Sequence, residues 1–307
     1  MSAFKTILCP IDFSDCSRVA LEHAIALARR HSSEVVALHV LLPMWPPLED
    51  FPPYVASKVI EPGARQKVSE RLEALVADVV KSIGGEARVR ALLVDGFPID
   101  GILAAEKSLS ADLLVLGTHG FGFAERLILG SVTERVLRRA TKPVLTVPRG
   151  ACVGAQKAFR TVVCGIDFGE PSLRALDLAL GVSSGSGARL VLVHVIESLP
   201  DEDPPEYGHF NVPEYRRFLE GDARKRLEAL VPESVWKERD TEFVVASGKA
   251  YSQILRVAET KDADLIVLGV QGRGSIDLGI FGSTANQLVR HARCPVLTVR
   301  KEASSPA

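Results

Sequence analysis

The chain has 307 residues, 47% hydrophobic and 24% charged, a globular composition long enough for about two domains. Thirty-seven basic residues against 38 acidic ones leave a formal net charge of −1. Nucleic-acid binders carry a strong basic excess, so nucleic acid is excluded as the main partner. No run approaches the ~18 apolar residues that cross a bilayer, so no membrane partner is expected.

The N-terminal MSAFKTILCPIDFSD reaches Asp12 after too short an apolar stretch for a signal peptide, and a cytoplasmic setting is expected. Five cysteines (Cys9, Cys16, Cys152, Cys164 and Cys294) form neither a CxxC pair nor a zinc spacing, which suits a reducing compartment. Cys9 and Cys164 lie in apolar runs and read as small core residues.

In chain order, the first strand covers 4–11 and ends in PID. Helix 15–31 follows, with Ser14 placed to cap it and Val19, Ala20, Ile25 and Leu27 facing a core. Strands are then expected at 34–41, 86–94, 112–117 and 143–148, and helices at 63–83, 98–108 and 131–140. DLLVLG and DLIVLG are almost wholly apolar, as central parallel strands buried on both faces require. Strand and helix in alternation imply a parallel αβα sandwich with right-handed crossovers. Two proline-rich stretches, LPMWPPLEDFPPYV and LPDEDPPEYGHFNVPEY, suit neither helix nor central strand and are candidate lids, partner surfaces or solvated loops.

The chain repeats itself. FKTILCPIDFSD from Phe4 matches FRTVVCGIDFGE from Phe159, VVALHV matches LVLVHV, and ADLLVLGTHG matches ADLIVLGVQG. A period this long means two duplicated domains, 1–150 and 157–301, joined through the small and polar RGACVGAQKA. Each copy carries one glycine frame: GTHGFGFAERLILGS from Gly117 and GVQGRGSIDLGIFGS from Gly269. It opens where a strand ends and closes where a helix begins, at the sheet edge where ligands bind. Gly117 and Gly120 remove Cβ atoms, so that backbone amides can approach an anion and φ can turn positive. Ser131 with Glu134 reads as a capping box, and the helix N-terminus is a ready anion site. The chemistry points to phosphate. Neither a Walker loop nor a dinucleotide fingerprint fits, the latter because it would follow the first strand. Asp12 and Asp167 end the first strand of each copy, where a carboxylate can accept ribose hydroxyls, help orient a metal ion or cap the next helix.

On these residues the chain resembles a tandem member of the universal stress protein family, over nearly all its length. The family's ATP-binding subgroup carries the same G-2x-G-9x-G-[ST] frame. The resemblance implies two tandem αβα domains of the adenine nucleotide alpha-hydrolase-like type, each with a five-stranded parallel sheet, related by a pseudo-twofold through their last strands (144–148 and 296–300). It also implies that ATP with Mg²⁺ would lie on Pro10, Asp12, Val40, Gly117, His119, Gly120, Gly130, Ser131, Val132 and Thr133. The matching positions of the second copy are Gly165, Asp167, Val195, Gly269, Gln271, Gly272, Gly282, Ser283, Thr284 and Ala285. Departures from the family pattern make the copies unequal. Phe121 stands where a basic residue is usual and Arg273 supplies one in the second copy, while Thr133 offers a hydroxyl that Ala285 lacks.

His39 and His194 sit at matching places in apolar strands and read as satisfied core histidines, with no partner at metal-ligand spacing. No dedicated general base is evident, so no catalytic residue and no protein-held metal centre are expected. A nucleotide-dependent sensor or regulator with an unidentified protein partner is the expectation, an internal pseudo-dimer that can dimerise further. The rivals are a slow ATPase or phosphotransferase and a scaffold with vestigial pockets.

Overall fold

The structure is a computed structural model that describes residues 4–42, 63–84, 86–118, 129–151, 159–183, 187–197, 212–233, 240–270 and 281–300. The chain divides into two compact units, Met1–Lys157 and Ala158–Ala307. Unit 1 runs β1 (Thr6–Pro10), α1 (Asp15–His31), β2 (Glu34–Leu41), α2 (Ala64–Ile83), β3 (Arg88–Asp95), α3 (Pro98–Ser108), β4 (Leu113–Gly117), α4 (Ser131–Arg139) and β5 (Val144–Val147). Unit 2 runs β6 (Thr161–Gly165), α5 (Glu170–Ser183), β7 (Arg189–Ile196), α6 (Val212–Ala229), β8 (Thr241–Ser247), α7 (Ala250–Thr260), β9 (Leu265–Val270), α8 (Ser283–His291) and β10 (Val296–Arg300).

Every strand pair within unit 1 is parallel, in the order β3-β2-β1-β4-β5. Unit 2 has the matching order β8-β7-β6-β9-β10, again parallel. In unit 1 the chain builds outward from β1 through β2 to β3, then returns to place β4 on the other side of β1. That reversal makes a switch point between β1 and β4, where the outgoing loops diverge and leave a crevice. Leu113 to Leu116 of β4 and Leu265 to Leu268 of β9 are buried without a break. Continuous burial requires cover on both faces. In unit 1 α1 packs on β1, β4 and β5 and against α2, while α3 packs on β1 and β2 and against α4.

Local chemistry explains the element ends. Ser14 caps α1, its Oγ accepting from the Ser17 amide at 3.2 Å. Ser32 closes the same helix in the left-handed region, its N–H donating to the Ala28 carbonyl. Of the four α1 residues expected in the core, Ala20, Ile25 and Leu27 are buried. Val19 is only half-buried, one position off the inward stripe. At the opposite sheet edge, Asp112 accepts from the amides of Lys5 and Thr6 at 2.8 and 3.0 Å, tying the start of β1 to β4. Asp264 does the same with Arg160 and Thr161 in unit 2, at 2.7 and 3.0 Å. The second proline-rich stretch is shorter than expected at its end, because Pro213 to Tyr215 lie in the first turn of α6. Proline is accepted there since a first-turn N–H has no intrahelical acceptor anyway. The first stretch, beyond Leu42, falls outside the described residues.

Candidate functional site

In unit 1 the ends of the glycine frame meet at the switch point. The Gly130 amide donates to the Thr118 carbonyl at 2.8 Å, and Thr118 in turn donates to Val147 of β5 at 3.0 Å. The start of α4 is thereby pinned beside the end of β4, with Asp12 across the crevice at the end of β1. Its first turn presents amide N–H groups that no helical carbonyl can satisfy.

The fold accounts for some of the frame's glycines and not for others. A Cβ on Gly117 would lie 2.8 Å from the backbone carbon of Cys16, and one on Gly269 would lie 2.3 Å from that of Pro171. Neither glycine has positive φ. The expectation that Gly117 is needed for a turned backbone is therefore corrected. It is glycine because the first turn of α1 passes directly over it, and Gly269 meets α5 in the same way. Gly130 and Gly282 differ. Their φ and ψ (−58° and 137°; −48° and 143°) suit any residue, and a Cβ on Gly282 would make only a 4.0 Å contact with Val270 among the described residues. The described fold gives no reason for glycine at 282.

The capping box is also corrected. Gly130 is the N-cap of α4 and makes no side-chain capping bond, so Ser131 lies one position inside the helix. Glu134 pairs instead with Arg138 at 2.9 Å. Ser131 is exposed at the helix mouth. The Thr133 hydroxyl is buried and donates to the Gly117 carbonyl at 2.8 Å, so its one proton is already engaged. Its presence does not favour the first site by adding a donor; it ties α4 to β4. Thr133→Val is expected to destabilise unit 1 by about 1 kcal/mol, read by chemical denaturation, because the Gly117 carbonyl loses its donor.

Pro10, Asp12, Val40, Gly117, Gly130, Ser131, Val132 and Thr133 all line one cavity of about 340 Å³. His39, read from the sequence as a core histidine, joins the wall, and residues not singled out in the sequence complete it, among them Ile11, Ser17, Leu38, Leu42, Pro98, Ile102 and Leu116. One end is thus apolar and the other carries the α4 N-terminus and Asp12. Gly101 of α3 makes room for that apolar end, since a Cβ there would lie 2.9 Å from both Val40 methyl groups. Asp12 Oδ1 accepts from the Ser14 amide at 3.0 Å and from its hydroxyl at 2.5 Å, while Oδ2 takes no hydrogen bond among the described residues. His39 is half-buried, with Nδ1 2.7 Å from the Ile11 carbonyl. A carbonyl only accepts, so Nδ1 carries the proton. His194 repeats this at 2.8 Å from the Ile166 carbonyl. No Lys or Arg lines the cavity among the described residues. Among those residues no cluster of three His, Cys, Asp or Glu could hold a metal ion.

In unit 2, Gly165 closes β6, Asp167 follows it, Val195 lies on β7 and Gly269 on β9, and Gly282 to Ala285 open α8. Asp167 Oδ1 accepts from the Gly169 amide at 2.8 Å, as Asp12 does from Ser14. A Cβ on Gly165 would lie 3.2 Å from Ile254, which occupies the space beside this strand end. His119, Gly120, Gln271 and Gly272, with Phe121 and Arg273, lie outside the described residues.

Each unit is therefore a doubly wound α/β domain with a strand, loop and helix N-terminus at its switch point. The family model described as the universal stress protein family matches residues 3–148 and again 158–300, and the chain belongs to that family. A universal stress protein of Mycolicibacterium smegmatis is 29% identical over 304 residues, 96% of either chain. A universal stress protein structure from Archaeoglobus fulgidus superposes with a TM-score of 0.64 at 23% identity, covering 98% of this chain and 99% of that one. A universal stress protein crystallised with cAMP is 24% identical, covering 48% of this chain and 98% of its own, with a TM-score of 0.36. None of the described helices is long and apolar enough to cross a membrane.

Proposed function

We propose that the chain binds ATP with Mg²⁺ through the unit 1 cavity, and through the matching edge of unit 2, as a nucleotide-dependent sensor or regulator. One observation carries this reading. A single cavity combines an apolar end of Val40, Leu38 and Ile102, a strand-end carboxylate at Asp12 and a helix N-terminus at Gly130 to Thr133. Base, ribose and phosphate ask for those three surfaces in that sequence. Mg²⁺ usually keeps several waters and is bound largely through substrate phosphates. With Asp12 Oδ2 given to the ribose hydroxyls, the metal would enter on the phosphates beside the α4 N-terminus and neutralise charge that no lysine or arginine of the described wall meets.

A binding protein fits better than an enzyme. Asp12 and His39 are the titratable groups of the described wall; His39 is committed to the Ile11 carbonyl, and Asp12, by this reading, to Ser14 and the ribose. Phosphoryl transfer needs an oriented nucleophile besides positioning and charge neutralisation. Among the described residues Cys9, Cys16, Cys164 and Cys294 form no disulfide, which suits the cytoplasm.

The test is to purify the protein without added nucleotide, denature it, and quantify released nucleotides by chromatography and mass spectrometry. Calorimetric titration of the stripped protein with Mg·ATP, and separately with cAMP, follows. Release of adenine nucleotide, or saturable Mg·ATP binding, supports the reading. Several products per site with time would make the chain a slow ATPase. Neither release nor binding leaves a scaffold with vestigial pockets.

A further inference from the structure

We propose that an arginine–phenylalanine–histidine stack, built once in each unit, is the device that holds the strand-end carboxylates ready for a ligand. Arg71, Phe13 and His39 would be positioning residues for Asp12, and Arg226, Phe168 and His194 for Asp167. The proposal rests on the reading above, in which these carboxylates meet ribose hydroxyls.

The residue after each carboxylate is strained. Phe13 has φ 63° and Phe168 has φ 62°, the left-handed region, where a bulky aromatic residue is an outlier. Such a conformation persists only where its surroundings over-determine it, and it concentrates at ligand sites. Here the surroundings are visible. The Phe13 ring leans on His39, centroids 4.7 Å apart at 45°, and the Arg71 guanidinium lies 4.1 Å from its centroid. In unit 2 the corresponding values are 4.6 Å, 44° and 3.9 Å. Each histidine also donates from Nδ1 to the carbonyl of the residue before the carboxylate, Ile11 or Ile166. One imidazole thus braces the backbone ahead of the aspartate and the side chain behind it. The arginine, reaching in from α2 or α6, stacks on the same phenylalanine.

Duplication argues that this is more than a surface cation–π contact. Phe13 and Phe168, His39 and His194, and Arg71 and Arg226 are each 155 residues apart. The helices that supply the arginines share RLEALV, at 71–76 and 226–231, although their N-terminal flanks differ. Charge alone would be served by lysine, but stacking on a ring face is served best by the planar guanidinium.

The test uses full-length protein with paired substitutions: Phe13→Leu with Phe168→Leu, Arg71→Ala with Arg226→Ala, and Phe13→Tyr with Phe168→Tyr. One readout needs no ligand. The Ser14 and Gly169 amides, which bond to Asp12 and Asp167, should exchange about tenfold faster by NMR in the leucine and alanine pairs, and near wild type in the tyrosine pair. The second readout is the ratio of affinities for Mg·ATP and Mg·2′,3′-dideoxy-ATP. Wild type should prefer ATP by about tenfold, and that preference should fall to within about twofold in the leucine and alanine pairs while the dideoxy affinity holds. The tyrosine pair should restore it. A stack that only buttresses the helices would lower both affinities alike, or neither, and would leave the amides unchanged; that result overturns the proposal. If wild type binds neither nucleotide while the two amides still respond, positioning stands and the ATP reading falls. If wild type binds ATP and the amides do not respond, the reverse holds.

Discussion

Gly269→Ala is expected to destabilise unit 2 by about 3 kcal/mol or more, the upper end of overpacking penalties. Calorimetry should show the melting of that unit fall by roughly 6–12 °C. The reason is geometric. The added methyl carbon would lie 2.3 Å from the Pro171 carbonyl carbon, 2.4 Å from the Ser172 nitrogen and 2.5 Å from the Pro171 oxygen. All three are backbone atoms, so no rotamer change relieves the overlap. Either α5 lifts from β9 or the strand end bends, and both expose apolar surface. Gly117→Ala should act in the same direction but less strongly, its nearest contact being 2.8 Å to Cys16. A fall of less than about 2 °C for Gly269→Ala would mean that α5 slides freely over the strand end, against the packing described.

Gly130→Ala with Gly282→Ala should produce the opposite pattern: a fold nearly intact and a ligand site impaired. Both backbones have ordinary negative φ, and alanine is the poorer N-cap by up to about 1 kcal/mol, so melting should move by no more than about 2–4 °C. Affinity for Mg·ATP should fall by about tenfold or more, because the new methyl groups stand where phosphate oxygens would approach the first-turn amides. The contrast between the two glycine pairs is the informative part. If the 130/282 pair binds Mg·ATP within about twofold of wild type, the helix N-termini are not where phosphate sits.

Much of this was legible in the residues. Apolar runs, β-branched strands and Ser14 placed the elements of unit 1 within a few residues of their observed ends, and helices 15–31 and 98–108 at their observed bounds. Those are local signals, because propensity and capping act within a turn or two of the chain. The frame located the crevice for a similarly local reason: a glycine run between an apolar strand and a helix can lie only at the sheet's carboxyl edge. What failed was the reason for individual letters. Gly117 was read as backbone freedom and proves to be a contact with Cys16, about a hundred residues earlier. Thr133 was read as a phosphate donor and is engaged by Gly117. Ser131 and Glu134 have capping-box spacing, but the helix starts one residue early for it, with Gly130 as its N-cap.

The sequence by itself determined the duplication, the alternation of strand and helix, the family and the sheet edge at which the unit 1 cavity lies. Each is written in period, spacing or recurrence, which survive without knowing what touches what. Only the tertiary structure decided which side chains share the cavity. Leu38, Pro98, Ile102 and Leu116 are ordinary apolar letters on three elements, and Arg71 is one charged residue among many on an exposed helix face. Parallel strands bring such residues together across crossovers of dozens of residues, and no local pattern records a contact at that range.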